Sequence, residues 1–306
     1  MTLSRAELAA RDAADPLAGF RARFVLPDGV IYLDGNSLGA LPQATVGRVA
    51  DVVAREWGQD LIRSWTKNAW IELPRRVGDK IGRLIGAAPG QVVVADSTSI
   101  NVFKLLAAAL RLRPERRVIL SDIANFPTDL YMAQGLIALV ARGHELRRVA
   151  PDEVLGAIDE EVGVVMLTHV DYRSGRFYDM AAVTAAAHRA GALILWDLAH
   201  SAGALPVALD ACGVDLAVGC GYKYLNGGPG APAFLYVAER HQAAARQPLS
   251  GWMGHAAPFA FDPNYRPAAG IDSWLCGTPA VLSMVALEEG VDLLLEVDMT
   301  ALRAKA

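Results

Sequence analysis

The sequence predicts an α/β protein with a mainly parallel central sheet flanked by helices. Two observations carry that expectation. From about residue 90, short apolar runs alternate with longer Ala- and Leu-rich segments of helical spacing, the pattern of crossover units that lay helices on both faces of a sheet. The runs are also apolar throughout rather than alternately polar, which marks strands buried on both faces. Ligands of such sheets gather at the carboxyl ends of the strands, so polar motifs that directly follow the runs carry the most weight.

The strands expected on this basis are Gln91–Ala95, Arg117–Leu120, Gly163–Thr168, Ala192–Trp196, Leu216–Gly219 and Ala233–Val237. Helical spacing falls in Thr98–Leu112, Thr128–Val140, Pro151–Ile158 and Ala181–Arg189, and resumes from Ala280 to the end. The first ninety residues differ: a turn-rich stretch, Ile31 to Gly39, precedes a helical pattern through Trp57. Leu249 to Pro279 is rich in Gly, Pro and aromatics with little periodicity, as expected of loops that line a site. There is no internal repeat.

Composition excludes several function classes. The chain has 306 residues, 53% of them hydrophobic, and 29 Lys and Arg against 33 Asp and Glu, so a polyanion partner such as nucleic acid has no electrostatic footprint. Cys212, Cys220 and Cys276 are odd in number and lack C-x-x-C spacing, which indicates neither a disulfide framework nor zinc. No apolar run approaches membrane-spanning length, and the charged N-terminus lacks a secretory core. A soluble, cytoplasmic protein without a membrane partner is expected.

Four places could carry chemistry. Asp197 ends the run Leu193–Trp196, where a buried carboxylate needs a cation or donor. A protonated pyridine nitrogen would serve, and so would an ordinary helix N-cap. Lys223 follows a strand and stands between glycines in Gly219-Cys220-Gly221-Tyr222-Lys223-Tyr224-Leu225-Asn226-Gly227-Gly228. A Schiff-base lysine needs that desolvated setting and a closely approaching backbone; a surface lysine in a flexible loop is the alternative. Asp96-Ser97-Thr98-Ser99 lies between a strand and a helix, where hydroxyls and free N–H groups form a phosphate site or merely cap the helix. Phe126, in Asn125-Phe126-Pro127-Thr128-Asp129, could stack on a planar ring or pack a loop. His169 and His255 have no second ligand at convincing spacing, so no metal is assigned. A serine hydrolase lacks its G-x-S-x-G elbow.

Taken together these segments resemble the fold-type-I pyridoxal-phosphate (PLP) enzymes, and more narrowly the kynureninase family. The matching phrases are Leu33-Asp34-Gly35-Asn36-Ser37-Leu38-Gly39, Asp96-Ser97-Thr98-Ser99, Phe126-Pro127-Thr128-Asp129, Asp197-Leu198-Ala199-His200, Tyr222-Lys223-Tyr224-Leu225-Asn226, Gly251-Trp252-Met253-Gly254-His255 and Cys276-Gly277-Thr278-Pro279. The Asp197 and Lys223 phrases are shared in part with cysteine desulfurases and class V aminotransferases; the Asn36 and Trp252 phrases are more specific.

The resemblance implies a PLP cofactor on Lys223, with Asp197 facing the ring nitrogen, His200 beside it, Phe126 on the ring, and Ser97 and Thr98 on the phosphate. Tyr222 would touch the phosphate and assist proton transfer, while Asp129, Thr168, Trp252 and Thr278 complete the pocket. Asn36, Trp65, Gly277 and Thr278 would meet the substrate. The implied reaction is hydrolysis of L-kynurenine, or 3-hydroxykynurenine, to anthranilate and L-alanine in tryptophan catabolism and the kynurenine route to NAD. Trp65, Gly277 and Thr278 match the kynurenine-preferring type. The family forms homodimers with shared sites, so Trp252 and Thr278 are expected at the neighbour's cofactor. By this reading residues 1–60 form an N-terminal segment and 61–285 the PLP-binding domain. Residues 286–306 begin a truncated small domain, whose substrate-carboxylate arginine matches no arginine here. The alternatives are another class V PLP enzyme, a cysteine desulfurase using Cys276 or an aminotransferase, and a PLP-binding fragment without activity.

Overall fold

The computed structural model describes residues 3–306. Its strands are β1 (Phe24–Val25), β2 (Leu41–Pro42), β3 (Val92–Val94), β4 (Val118–Asp122), β5 (Glu145–Val149), β6 (Val162–Thr168), β7 (Leu193–Asp197), β8 (Leu216–Gly219) and β9 (Phe234–Val237). Its helices are α1 (Arg5–Ala13), α2 (Gln43–Asp51), α3 (Ser64–Lys67), α4 (Leu73–Ile85), α5 (Thr98–Leu112), α6 (Pro127–Val140), α7 (Met180–Arg189), α8 (Glu239–Gln242), α9 (Val281–Leu295) and α10 (Met299–Lys305).

Strands β3 to β9 form one sheet in the order β3-β9-β8-β7-β6-β4-β5, and β1 pairs separately with β2. Strands β5, β4, β6, β7 and β8 are parallel, whereas β9 runs against both of its neighbours. Alternate residues divide the core. Val92, Val94, Ile194 and Trp196 pack with α4, α7 and α9 on one face. Val93, Leu193 and Leu195 pack with α5 and α6 on the other. The six expected strands appear with ends shifted by at most two residues. Their carboxyl ends deliver Ser97, Asn125, Thr168, Asp197 and Lys223 to one edge.

Some elements differ from expectation. Pro151–Ile158 is not a continuous helix but two 3₁₀ turns, Pro151–Glu153 and Leu155–Ala157. Gly156, within the segment, weakens helix propagation. The edge strand β5 escaped sequence reading because Glu145, Arg147 and Arg148 break its apolar run, as edge strands require. The helical pattern through Trp57 is helix only to Asp51; Val52–Trp57 continues as a π-helical segment.

At the opposite, amino end of the sheet, buried Asp215 ties three elements. Its carboxylate accepts from the Ile194 N–H (2.9 Å), His188 Nε2 (2.9 Å), His241 Nε2 (2.7 Å) and the Arg240 guanidinium (2.7 Å). Burial raises this carboxyl's pKa, but the hydrogen bonds from His241, Ile194 and His188 more than offset that and hold it well below the usual carboxylate range. Its contribution to stability is therefore full above the ordinary carboxylate pKa and is lost only as pH falls toward the lowered value. At pH 7, Asp215→Ala is expected to cost about 3 kcal/mol in urea unfolding; a loss below about 1 kcal/mol would show that the hub is dispensable.

Candidate active site

The lysine loop is fixed by close backbone contact before any side chain acts. The N–H of Gly39 donates to the Tyr222 carbonyl at 2.8 Å, and a methyl group at Gly39 would overlap the Lys223 carbonyl and Asn226. On the other side Gly290 lets α9 lie against Leu225 and Asn226 with no room for a Cβ. Asn226 turns the chain in the left-handed region (φ 56°) and donates its N–H to the Lys223 carbonyl at 3.0 Å, a conformation asparagine tolerates. The Asn36-to-Gly39 phrase is thus the clamp that seats the lysine loop.

Within that seat Lys223 Nζ lies 2.8 Å from His200 Nε2 and 5.8 Å from the ring centroids of both Phe126 and Tyr222. Burial, and then the Lys223 charge, push the His200 pKa down to about 4. The imidazole is therefore neutral at pH 7 and accepts from the ammonium. Burial raises the Tyr222 phenol, as do the charges of Cys220 and Asp197.

Facing the lysine are two buried carboxyls. Asp197, at the end of β7, accepts from the Ala199 N–H at 2.8 Å and lies close to Asp129 and Thr168. Burial raises its pKa, opposed by the Ala199 N–H and the Lys223 charge. Asp129, in the first turn of α6, is raised well above the carboxylate range by burial and by Asp197, and its Oδ2 has no hydrogen-bond partner. Two adjacent carboxyls in a dry site retain a proton because nothing nearby compensates both charged forms. A protonated ring nitrogen supplies the missing cation, so the donor set fits PLP.

Thr98, Phe126, Asp129, Asp197, His200 and Tyr222 line a cavity of about 200 Å³ with Lys223. Ser97 caps α5, its Oγ accepting from the Ile100 N–H at 3.4 Å. Ser97, Gly277 and Thr278 line an adjoining cavity of about 630 Å³ that shares the Tyr222 wall. Asn36 approaches the His200 ring through its backbone. Trp252 and Trp65 do not line the lysine cavity. Trp252 donates to Thr278 Oγ1 at 3.3 Å and meets Trp65 edge to face at 5.9 Å. Among the described residues no group of three or more His, Cys, Asp or Glu could hold a metal.

Sequence reasoning missed two supporting residues. Asn125 accepts from the Phe126 N–H at 2.7 Å and from the Thr168 hydroxyl, and donates to Ser121 Oγ at 2.9 Å, fixing the turn that aims Phe126 and Asp129. Its place one residue before Phe-Pro was the available signal, since asparagine often shapes such turns. Buried Glu56, in the π-helical segment, accepts from Trp70 Nε1 at 2.6 Å, and Trp70 in turn packs edge to face on Trp65 at 6.2 Å. Only the fold brings those two together.

A twisted sheet with a lysine and a buried carboxylate at its carboxyl edge defines a PLP enzyme of the class V aminotransferase family, and the chain belongs to that family, which it matches over residues 31–306. Two solved structures share the fold. They are a C-DES mutant with glycine covalently linked to its PLP cofactor (TM-score 0.80, 16% identity, 91% of this chain and 74% of that one) and the cysteine desulfurase CsdA of Escherichia coli (TM-score 0.76, 21% identity, 93% and 73%). Within the class, the chain belongs to the kynureninase family. It is 55% identical to the kynureninase of Burkholderia pseudomallei strain 1106a and 52% identical to that of Pseudomonas fluorescens. Each match covers 99% of this chain and 74% of the relative.

Two outcomes follow from this geometry. Gly39→Ala is expected to weaken PLP binding about tenfold by displacing the lysine loop. Gly35→Ala, where a methyl meets only the Tyr224 ring at an ordinary 3.7 Å, should bind normally; equal affinities in a spectroscopic titration would contradict the clamp.

The second concerns acid stability. Burial lowers the His169 pKa to about 4 from an ordinary 6.5. Between those values the unfolded chain takes up a proton that the folded chain refuses, so stability falls as pH drops through the window. His200 acts in the same sense, and the raised Asp129 and Asp197 in the opposite one. His169→Gln should therefore flatten the fall in Tm between pH 6.5 and about 4. An unchanged slope would show that His169 titrates normally.

Proposed function

We propose that the chain hydrolyses L-kynurenine to anthranilate and L-alanine with PLP on Lys223, and that 3-hydroxykynurenine is the secondary substrate. The observation that carries this reading is the identity of 55% to a kynureninase over 99% of the chain, with Lys223, Asp197, His200 and Tyr222 meeting in one cavity.

When bound, PLP supplies a protonated ring that withdraws electrons from the substrate's amino-acid carbons. Asp197, supported by Asp129 and Thr168, would keep the proton on the ring nitrogen. Phe126 would stack on the ring, while Ser97, Thr98 and the first N–H groups of α5 would hold the phosphate. Lys223, oriented by neutral His200, removes and returns the proton at the substrate Cα. Tyr222 stays a phenol at neutral pH, since its pKa is raised, and donates to the phosphate and in proton transfer. Water adds at the γ-carbonyl carbon and the Cβ–Cγ bond breaks. Its electron pair stays with the three-carbon fragment, which takes a proton to become L-alanine, while the acyl half leaves as anthranilate.

Asn36, Trp65, Gly277 and Thr278 are assigned to the substrate, with Trp65, Gly277 and Thr278 favouring the unsubstituted ring. The site is assigned to a homodimer in which Trp252 and Thr278 serve the neighbour's cofactor; the half-exposed face of Phe126 (38%) supports a second chain closing the site. Among the described residues no helix is long and apolar enough to cross a membrane, in keeping with a cytoplasmic enzyme. Cys276 suits a desulfurase poorly, because its carbonyl accepts from the Met253 N–H at 3.1 Å and Gly251 packs against its backbone.

The test follows the visible absorbance and anthranilate fluorescence in one cuvette. Lys223→Ala is expected to lose the visible band and slow anthranilate release about a thousand-fold or more. A native chain that binds PLP yet releases no anthranilate from kynurenine would defeat the reading.

A further inference from the structure

Lys104 is fully buried in α5, inside the apolar cluster that contains Leu105, Leu106 and Leu110. An ammonium is costly there unless it is paired. Its Nζ makes an ion pair with Asp96 and donates to the Trp274 carbonyl at 2.8 Å. Asp96 occupies the residue before the Ser97 cap, in the left-handed region (φ 49°), and lines the same cavity as Ser97, Tyr222 and Thr278. Its carboxylate therefore stands beside the place where the proposed reading puts a phosphate dianion.

That position is electrostatically adverse. The N-terminus of α5 favours an anion, but an uncompensated carboxylate one residue ahead of it would oppose a second negative group through a poorly screened wall. Resting on the assignment of Ser97 and Thr98 to the phosphate, we propose that Lys104 is a positioning residue for the cofactor phosphate: it neutralises Asp96 from inside the core and so leaves the helix start net attractive to the dianion. The bond to Trp274 ties the same ammonium to the segment leading to Gly277 and Thr278, so that both walls of the cavity share one anchor.

The experiment compares PLP with pyridoxal, which lacks the phosphate, by spectroscopic titration of the full chain stripped of cofactor. Lys104→Met should weaken PLP binding at least about tenfold more than pyridoxal binding, and the charge-balanced double variant K104M/D96N should restore most of the preference for PLP. An equal loss for both ligands, or no recovery in the double variant, would mean that Lys104 serves packing alone and would overturn the proposal. Should K104M fail to fold, Asp96→Asn decides: its preference for PLP is expected to hold or rise, and a fall would overturn the proposal. Ser97→Ala/Thr98→Ala probes the underlying assignment separately. If that variant keeps the full preference, the phosphate lies elsewhere and the proposal falls with the assignment; if only the Lys104 variants miss expectation, the assignment stands.

Discussion

Two carboxyl groups buried against one another dominate the energetics of this site. Asp129 and Asp197 lie together at the carboxyl end of the sheet, and burial raises the pKa of both. Left to itself such a pair must hold a proton between them, and it destabilises the fold by desolvation. The surroundings make sense as a frame for that pair. Asn125 and Thr168 fix its geometry, the Ala199 N–H stabilises Asp197, and Lys223 supplies one cation from across the cavity. A further cation, such as a protonated pyridine ring, would let the pair give up that proton.

The lysine answers a different constraint. Its loop is held by contacts that only small residues allow, with Gly39 on one side and Gly290 on the other. These contacts join the N-terminal segment, the sheet and α9 into a single support. The long sequence separation of those three elements explains how phrases scattered along the chain converge on one ammonium group.

Much of this was legible in the sequence, for identifiable reasons. Strands buried on both faces announce themselves as unbroken apolar runs, which is why β6, β7 and β8 are legible to within a residue or two. The edge strand β5 was not legible, since its charged residues hide its pairing. Pro151–Ile158 reads as a helix because spacing alone does not show that the chain breaks into two short turns around Val154 and Gly156. At the site, Asp197 and Lys223 could be named because residue type and position both pointed to chemistry. Asn125 and Glu56 act through neighbours that only tertiary structure supplies. Nothing in the sequence separates Lys104 from any other lysine on a helix; its burial and its pairing with Asp96 belong to the fold.

The most direct test of the central pairing is the ¹⁵N chemical shift of the ring nitrogen of labelled PLP bound to the native chain and to Asp197→Asn. A protonated ring nitrogen at neutral pH in the native chain, lost or strongly shifted in the variant, is the expected result. An unprotonated nitrogen in the native chain, or an identical shift in the two proteins, would contradict the assignment of the buried carboxyl pair to the cofactor.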